Sequence, residues 1–374
     1  MSRNEFLYNQ TQIGSVKVLA KALSLTETEL NYLIENADKY YKTAKKVPKS
    51  DGTTRLTFKV VYPLKKVLIR IRNRIIKNVR FPDYILAGRQ GKSYLDNAME
   101  HKGSIMMLSE DISKFFDSVQ IKYVEELYKY FFCFPPDVSY ALAKLCTYNG
   151  ALVQGSPVSG DIANLVFYDK EPNLVKFAQS LNLTYTRYYD DIYVSSQNEF
   201  FDGSVGKLRS AIYGMFASVE VKPNKSPKKS RVMKSSSRMD VHDVTVNSHK
   251  LSPSKERTSK VRLQINKLRK TVLSNAPVGE IIKLYKSTFG QLVTLKSQGS
   301  PKYPKMIKEL NEIVKLIEPK QAKKYARGYR KVKTKQQLKS FAQKVSILKK
   351  VSPVVAGVVN AESKEAKRRV NNTV

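Results

Sequence analysis

From Leu64 onward, apolar residues recur every three or four positions. In PLKKVLIRIRNRIIKNV, Leu64, Val67, Leu68, Ile71 and Ile75 share one helical face while Lys and Arg take the other. An N-terminal segment, SVKVLAKALSLTETELNYLIENADKYYKTA, also reads as helical. Between them, KKVPKSDGTTRLTFKVVYP sets lysines around Ser50-Asp51-Gly52, which predicts a hairpin turn with positively charged flanks. Further along, strands and helices alternate. SIMMLSEDI predicts a strand and IKYVEELYKYFF a helix. SPVSGDIANLVFYDK predicts a helix opened by Pro157 and Ser159, and TRYYDDIYVSS a strand–turn–strand with two carboxylates at its tip. After residue 245 the pattern turns helical and basic. GEIIKLYKSTFGQLVTL is expected to bury Ile281, Ile282, Tyr285, Phe289 and Leu292, and MIKELNEIVKLI repeats the periodicity. No internal repeat is visible. From Glu318 the chain carries eight Lys/Arg between Lys320 and Lys335 and ends in small polar residues, so this tail is expected to be flexible or to order only on a polyanion.

The chain has 374 residues, enough for one large or two to three small domains, and 41% apolar residues make it globular. Lys and Arg outnumber Asp and Glu by 67 to 32, a formal charge of +35 that argues for a polyanionic partner through phosphate neutralisation. The choices are nucleic acid or an anionic membrane. No apolar run approaches the roughly 18 residues of a spanning helix, and MSRNEFLYNQ lacks a signal-peptide core. A soluble, intracellular protein with no membrane partner is therefore expected. Cys133 and Cys146 sit in apolar surroundings and are expected as buried thiols; His101, His242 and His249 have no zinc-ligand spacing.

Against this basic background the acids stand out. Asp190 and Asp191 lie at the tip of the predicted hairpin, and Asp111 ends the strand predicted about eighty residues earlier. An Asp-Asp pair in a turn is by itself most often solvated punctuation. Three carboxylates converging at strand ends would repel one another unless cations neutralise them, and hard oxygen ligands select magnesium. Two such ions serve in-line displacement at phosphorus.

Four blocks in order carry a family resemblance: NAMEH (Asn97 to His101), DISKFFDS (Asp111 to Ser118), VQGSPVSGDIANLVF (Val153 to Phe167) and YYDD (Tyr188 to Asp191). Together they resemble the blocks of bacterial reverse transcriptases, including the retron type, over roughly residues 40 to 300. The resemblance implies an α+β, right-hand polymerase: fingers at 1–105, an antiparallel-sheet palm at 106–245 with helices on one face, a helical thumb at 246–318, and a basic extension at 319–374. It implies that Asp111 and Asp190 bind two magnesium ions, with manganese as a substitute, that Asp191 contributes more weakly and that the Ile112 carbonyl adds a ligand. Phe116 would exclude a 2′-hydroxyl, its own alternative being a core phenylalanine as for Phe115. Gln154 and Gly155 would lie against the nascent base pair, an ordinary turn glycine being the plainer reading of Gly155. Tyr188 would contact the primer end, with Asn97 and His101 also at primer or template, and Lys225 would protonate departing pyrophosphate. Arg55 and Lys59, supported by Lys46 or Lys49, are the candidates for the triphosphate. FGQL (Phe289 to Leu292), with Gly290, is similar to a thumb helix on the template–primer minor groove; core packing is an equal reading.

The implied function is RNA-directed DNA synthesis, with dNTPs, a structured non-coding RNA template, an RNA–DNA duplex product and an effector protein or oligomer as partners, in the bacterial cytoplasm and in antiphage defence. The chain departs from the retron pattern at one place. Val241-His242-Asp243 stands where retron enzymes usually carry Val-Thr-Gly. That leaves a non-retron defence enzyme with self- or protein-primed synthesis open, as it does a degenerate polymerase-fold RNA-binding scaffold. RNA-templated RNA synthesis is disfavoured by Phe116. No aspartate follows Asp243, which argues against an appended carboxylate-dependent nuclease.

Overall fold

The computed structural model describes residues 5–48, 54–199 and 201–372, with the side chains of Val47, Pro48 and Arg55 outside the description. Two compact units divide the chain, one of residues 1–242 and 246–249, the other of 243–245 and 250–374. Among the described residues no helix is long and apolar enough to cross a membrane.

The first unit begins with helices α1 (Val16–Ala22) and α2 (Glu27–Glu35). Ser15 caps the first, and Thr26 with Glu29 forms a capping box on the second. The last four residues of the expected N-terminal helical run, Tyr41 to Ala44, instead lie in a strand. β1 (Tyr41–Pro48) pairs antiparallel with β2 (Thr54–Val60), so the basic hairpin exists; its turn, Ser50-Asp51-Gly52, lies outside the described residues. Helix α3 (Leu64–Arg74) buries Leu64, Val67, Leu68 and Ile71, as its apolar face dictates.

The central sheet uses β3 (Met106–Asp111), β4 (Thr184–Tyr188), β5 (Asp191–Ser196) and β6 (Arg231–Lys234) in the order β4-β5-β3-β6, all neighbours antiparallel. Helices α4 (Tyr94–Glu100), α5 (Ser159–Leu165) and α6 (Glu171–Ser180) come from this same unit. This is the α+β arrangement, with an antiparallel sheet, that the family resemblance implied. Cys133 corrects one expectation: it is exposed, because a φ of +56° turns it outward between buried Phe132 and Phe134, whereas Cys146 is buried.

Two buried polar devices hold the sheet's working end. Arg187 on β4 and Glu171 on α6 are both fully buried and meet side-on, Nε to Oε1 at 2.6 Å and one terminal nitrogen to Oε2 at 2.7 Å. The Tyr185 hydroxyl donates to Glu171 at 2.8 Å, and Arg187 donates again to the carbonyl of Asn164 on α5 at 2.8 Å. Burial works against the guanidinium charge, yet Glu171 outweighs it and keeps Arg187 protonated above its usual range. The second device is His101, at the end of α4. Its Nδ1 meets Ser195 Oγ and its Nε2 meets Thr186 Oγ1, each at 2.7 Å, tying β5 and β4 together. The ring is fully buried, so the expected contact with primer or template is corrected: its two nitrogens are spent on the hairpin.

The second unit contains helices α7 (Lys255–Leu273), α8 (Val278–Ser297), α9 (Tyr303–Lys315), α10 (Pro319–Ala326), α11 (Lys335–Val345) and α12 (Pro353–Asn371). On α8, Ile281, Ile282, Tyr285 and Leu292 are buried, but Phe289 is 39% exposed and stacks on Tyr285 at 6.0 Å. The tail is also corrected. Residues 319–371 form α10, α11 and α12 with short turns and 3-10 segments between them, and Ala322, Ala326, Tyr329, Val345, Leu348, Val355, Val359 and Ala366 join the same core as α7 to α9. Their apolar positions recur at helical spacing between the lysines, a signal the charge run concealed.

Removing one partner of the buried pair strands the other. Arg187→Met and Glu171→Gln are each expected to lower unfolding free energy by about 3–5 kcal/mol in urea titrations, and losses below about 1 kcal/mol would sink this reading. His101 supplies a pH signature. Burial, with His242 nearby, pushes its pKa from 6.5 down to about 3, so the fold requires the neutral ring. Its contribution is complete above about pH 6.5 and is lost as pH falls toward about 3. From about pH 7 to about pH 5.5 the wild type should therefore lose about 1 kcal/mol more than His101→Gln; parallel stability profiles would contradict it.

Candidate active site

The register of the sheet brings the acids together. Asp111 at the end of β3 is the direct cross-strand partner of Asp191, the first residue of β5. Opposed residues on neighbouring antiparallel strands have Cβ atoms about 4.5–5.5 Å apart. Asp190 sits in the two-residue turn between β4 and β5, and its carbonyl accepts from the Ile112 N–H at 3.0 Å. The turn depends on Tyr189, held at φ +55°, a left-handed conformation that bulky residues seldom adopt. Its ring packs between Gly88 and Gly160, where an added Cβ on either would crowd the phenol oxygen.

Charge at this point is compensated from within the unit. Burial first, and then the carboxylates of Asp191 and Asp111, push Asp190 up to about 7. Burial also raises Asp111, against the pull of Lys229. The Lys229 ammonium lies 2.7 Å from Asp111 Oδ2 and 3.0 Å from Asp191 Oδ1. Burial opposes its charge, but the two carboxylates outweigh that and hold its pKa above the usual lysine range. Asn224 completes the shell: its Nδ2 donates to Asp111 Oδ1 at 2.8 Å, and its backbone N–H donates to the Asp111 carbonyl, also at 2.8 Å.

The structure separates the neighbouring lysines. Lys225 is exposed, while Lys229, four positions later, reaches the acids. The cause is a local turn: the N–H groups of Lys229 and Ser230 both donate to the Ser226 carbonyl, folding the segment back after Asn224. Composition could not separate neighbouring lysines; the turn does.

The remaining candidates occupy distinct surroundings. Phe115 is buried and stacks on Phe167 with centroids 5.9 Å apart, whereas Phe116 is half-buried, 5.9 Å from the Tyr189 ring. Gln154 accepts from the Phe58 N–H at 2.9 Å, and Gly155, at φ +111°, has no room for a Cβ against the Phe58 carbonyl. The close backbone approach at Gly155 is thus made to strand β2. Lys46 and Lys59 are exposed on the basic hairpin; Lys49 and the Arg55 side chain lie outside the description. Tyr188 is half-buried, with its ring edge-on to His242 at 4.6 Å. Asn97 is fully buried and donates to His242 Nε2 at 2.9 Å, which corrects its expected exposure to primer or template. Gly290 is on α8, in the second unit, with open space where a Cβ would stand. Among the described residues no three His, Cys, Asp or Glu side chains form a finished metal cage; Lys229 spans two of the acids instead. The residues that sequence reasoning missed are Lys229, Arg187 and Glu171.

Comparison with known proteins agrees with this geometry. The family model described as reverse transcriptase (RNA-dependent DNA polymerase) matches residues 47–245. The chain is similar to the retron Se72 reverse transcriptase of Salmonella heidelberg, at 29% identity over 223 residues, covering 60% of this chain and 59% of that protein. It is similar to the retron Ec48 reverse transcriptase of Escherichia coli, at 28% identity over 316 residues, covering 80% and 76% respectively. The match therefore spans less than two thirds of the Se72 protein. Among solved structures, apo telomerase from Candida tropicalis aligns with a TM-score of 0.38 at 11% identity, over 62% of this chain and 61% of that one. The family match covers more than half of the chain and includes Asp111, Asp190 and Asp191, and the protein belongs to the reverse transcriptase (RNA-dependent DNA polymerase) family.

Proposed function

We propose that this protein is an RNA-directed DNA polymerase that extends a primer 3′-hydroxyl with deoxynucleotides, copying a structured non-coding RNA in the bacterial cytoplasm. One observation carries the reading: Asp111 and Asp191 are cross-strand partners with Asp190 in the adjoining turn. Fingers, palm and thumb correspond on this reading to residues 1–105, 106–245 and 246–318, with residues 319–374 extending the helical unit.

The donor set suits divalent magnesium. Asp190, pushed up to about 7 by burial and by two neighbouring carboxylates, reports repulsion that a divalent cation relieves. Asp111, Asp190, Asp191 and the Ile112 carbonyl would hold two such ions, which supply Lewis-acid stabilisation of charge on phosphorus oxygens. The protein's own groups do the rest. Phe116 sets a flat ring under the sugar, Tyr188 supports the primer end, and the exposed lysines of the basic hairpin meet the triphosphate. Lys229, already protonated between Asp111 and Asp191, is the general acid for departing pyrophosphate in place of Lys225. Positioning and electrostatics carry such a transfer.

The retron relatives favour a retron-type template and a defence role. The departure at Val241-His242-Asp243 favours a second reading, a defence enzyme whose synthesis is primed by itself or by protein. Sequencing nucleic acid that copurifies with the protein separates them: DNA joined to a structured RNA supports the first, DNA joined to protein the second.

Asp111→Asn and Asp190→Asn are expected to abolish magnesium-dependent dNTP incorporation on a primed RNA template while RNA binding persists; near-normal extension by either variant would refute the polymerase reading. Phe116→Ala should admit ribonucleotides, read as the ratio of rNTP to dNTP incorporation. An unchanged ratio would remove Phe116 from sugar selection.

A further inference from the structure

The triplet that departs from the retron pattern sits at the acids. His242 is at φ +51° and the next residue, Asp243, at φ +64°, two left-handed residues in succession. This bend sets the imidazole into a cup of aromatic edges: Tyr188 at 4.6 Å, Tyr193 at 5.5 Å and Tyr94 at 6.4 Å between ring centroids. The His242 side chain is 15% exposed.

Both ring nitrogens have assigned surroundings. The Asn97 amide nitrogen lies 2.9 Å from Nε2, while Asn97 Oδ1 is buried without a hydrogen-bond partner among the described residues; with the amide in this orientation its N–H donates and Nε2 accepts. The neutral ring then carries its proton on Nδ1. That nitrogen faces Asp191 Oδ2 at 3.7 Å, longer than a hydrogen bond but close enough for an N–H dipole to orient a carboxylate. Asn97 is itself immobilised, being fully buried on α4.

Spacing on α4 makes sense of the pair. Asn97 and His101 are four residues apart and so share one helix face. His101 fastens the hairpin further along, at Thr186 and Ser195, and Asn97 fastens His242 beside its acidic tip. Thr186 and Tyr188 on β4 lie across from Tyr193 and Asp191 on β5, so all four belong to the sheet face that receives these rings.

We propose that His242 is a positioning residue: fixed by Asn97 as its Nδ1–H tautomer, it orients the Asp191 carboxylate and braces the Tyr188 ring for the primer end. This deepens the polymerase reading and rests on it. The role is specific to this chain's own triplet, since the threonine of the usual triplet, which would stand at position 242, has neither a ring to fill the aromatic cup nor a ring nitrogen to face Asp191.

Two measurements test it. Nitrogen-15 histidine spectra of the full-length protein without metal, assigned by comparison with His242→Gly, should give the Nδ1–H tautomer for His242. An Nε2–H tautomer, or a free mixture of both, overturns the proposal without reference to polymerase activity. His242→Gly suits the left-handed backbone and removes only the ring. Its kcat for dNTP incorporation should fall by about tenfold to a hundredfold, the range typical of groups that orient metal-binding side chains, and added imidazole should restore part of it. KM for the dNTP should stay near the wild-type value. Asn97→Leu should show a comparable loss, and the double variant little more. Unchanged kcat in His242→Gly, no imidazole rescue of a folded variant, or fully additive losses would each overturn the proposal. An inactive wild type would instead remove the polymerase reading and leave the tautomer result to decide the positioning role.

Discussion

Everything at the acidic tip hangs from one buried ion pair. Arg187 stands three residues before Asp190, on the strand that delivers the turn, and its guanidinium is gripped by Glu171 and by the carbonyl of Asn164. Two charges without access to water must stay paired, because separating them leaves each uncompensated in a medium of low dielectric constant. That requirement ties β4 to α5 and α6, and so ties the hairpin to the Gln-Gly block that leads into α5. An apolar contact of the same area could slide; a side-on guanidinium–carboxylate pair has a single geometry.

Given that anchor, the strand register does the chemical work. The hairpin tip could not slip by one residue without turning Asp191, Tyr193 and Ser195 to the opposite face of the sheet. His101 resists such a slip by bonding Thr186 and Ser195 at once. Lys229 then answers the charge problem that the register creates, and it arrives from the segment just before β6, the strand on the other side of β3. The centre of the sheet therefore supplies the acids and its flank supplies their counter-ion.

Much of this was legible beforehand, for physical reasons. Asp111, Asp190 and Asp191 could be placed because strand alternation and a two-residue turn are local patterns, and local patterns survive in a linear sequence. The apolar face of α3 was readable for the same reason. Lys229 was hidden because a backbone turn at Ser226, not residue type, selects it among near-identical neighbours. Arg187 and Glu171 were hidden because each looks like a surface charge until the fold removes its water. Their block points Asn97 and His101 toward nucleic acid, whereas burial gives them the hairpin and His242 as partners. The tail misled by composition: lysines dominate its count, while Tyr329, Leu348, Val355 and Val359 decide its structure.

The ordered tail has a consequence for how this protein meets a polyanion. Lysines on a loose segment must surrender backbone freedom when they grip phosphates, at about 1–2 kcal/mol for each residue fixed. Those between Lys320 and Lys335 have their main chain already committed to α10, the short turn after it and the start of α11, so that cost falls on folding and not on association. Such a surface is preorganised: its charges hold a spacing that the fold, and not a partner, sets.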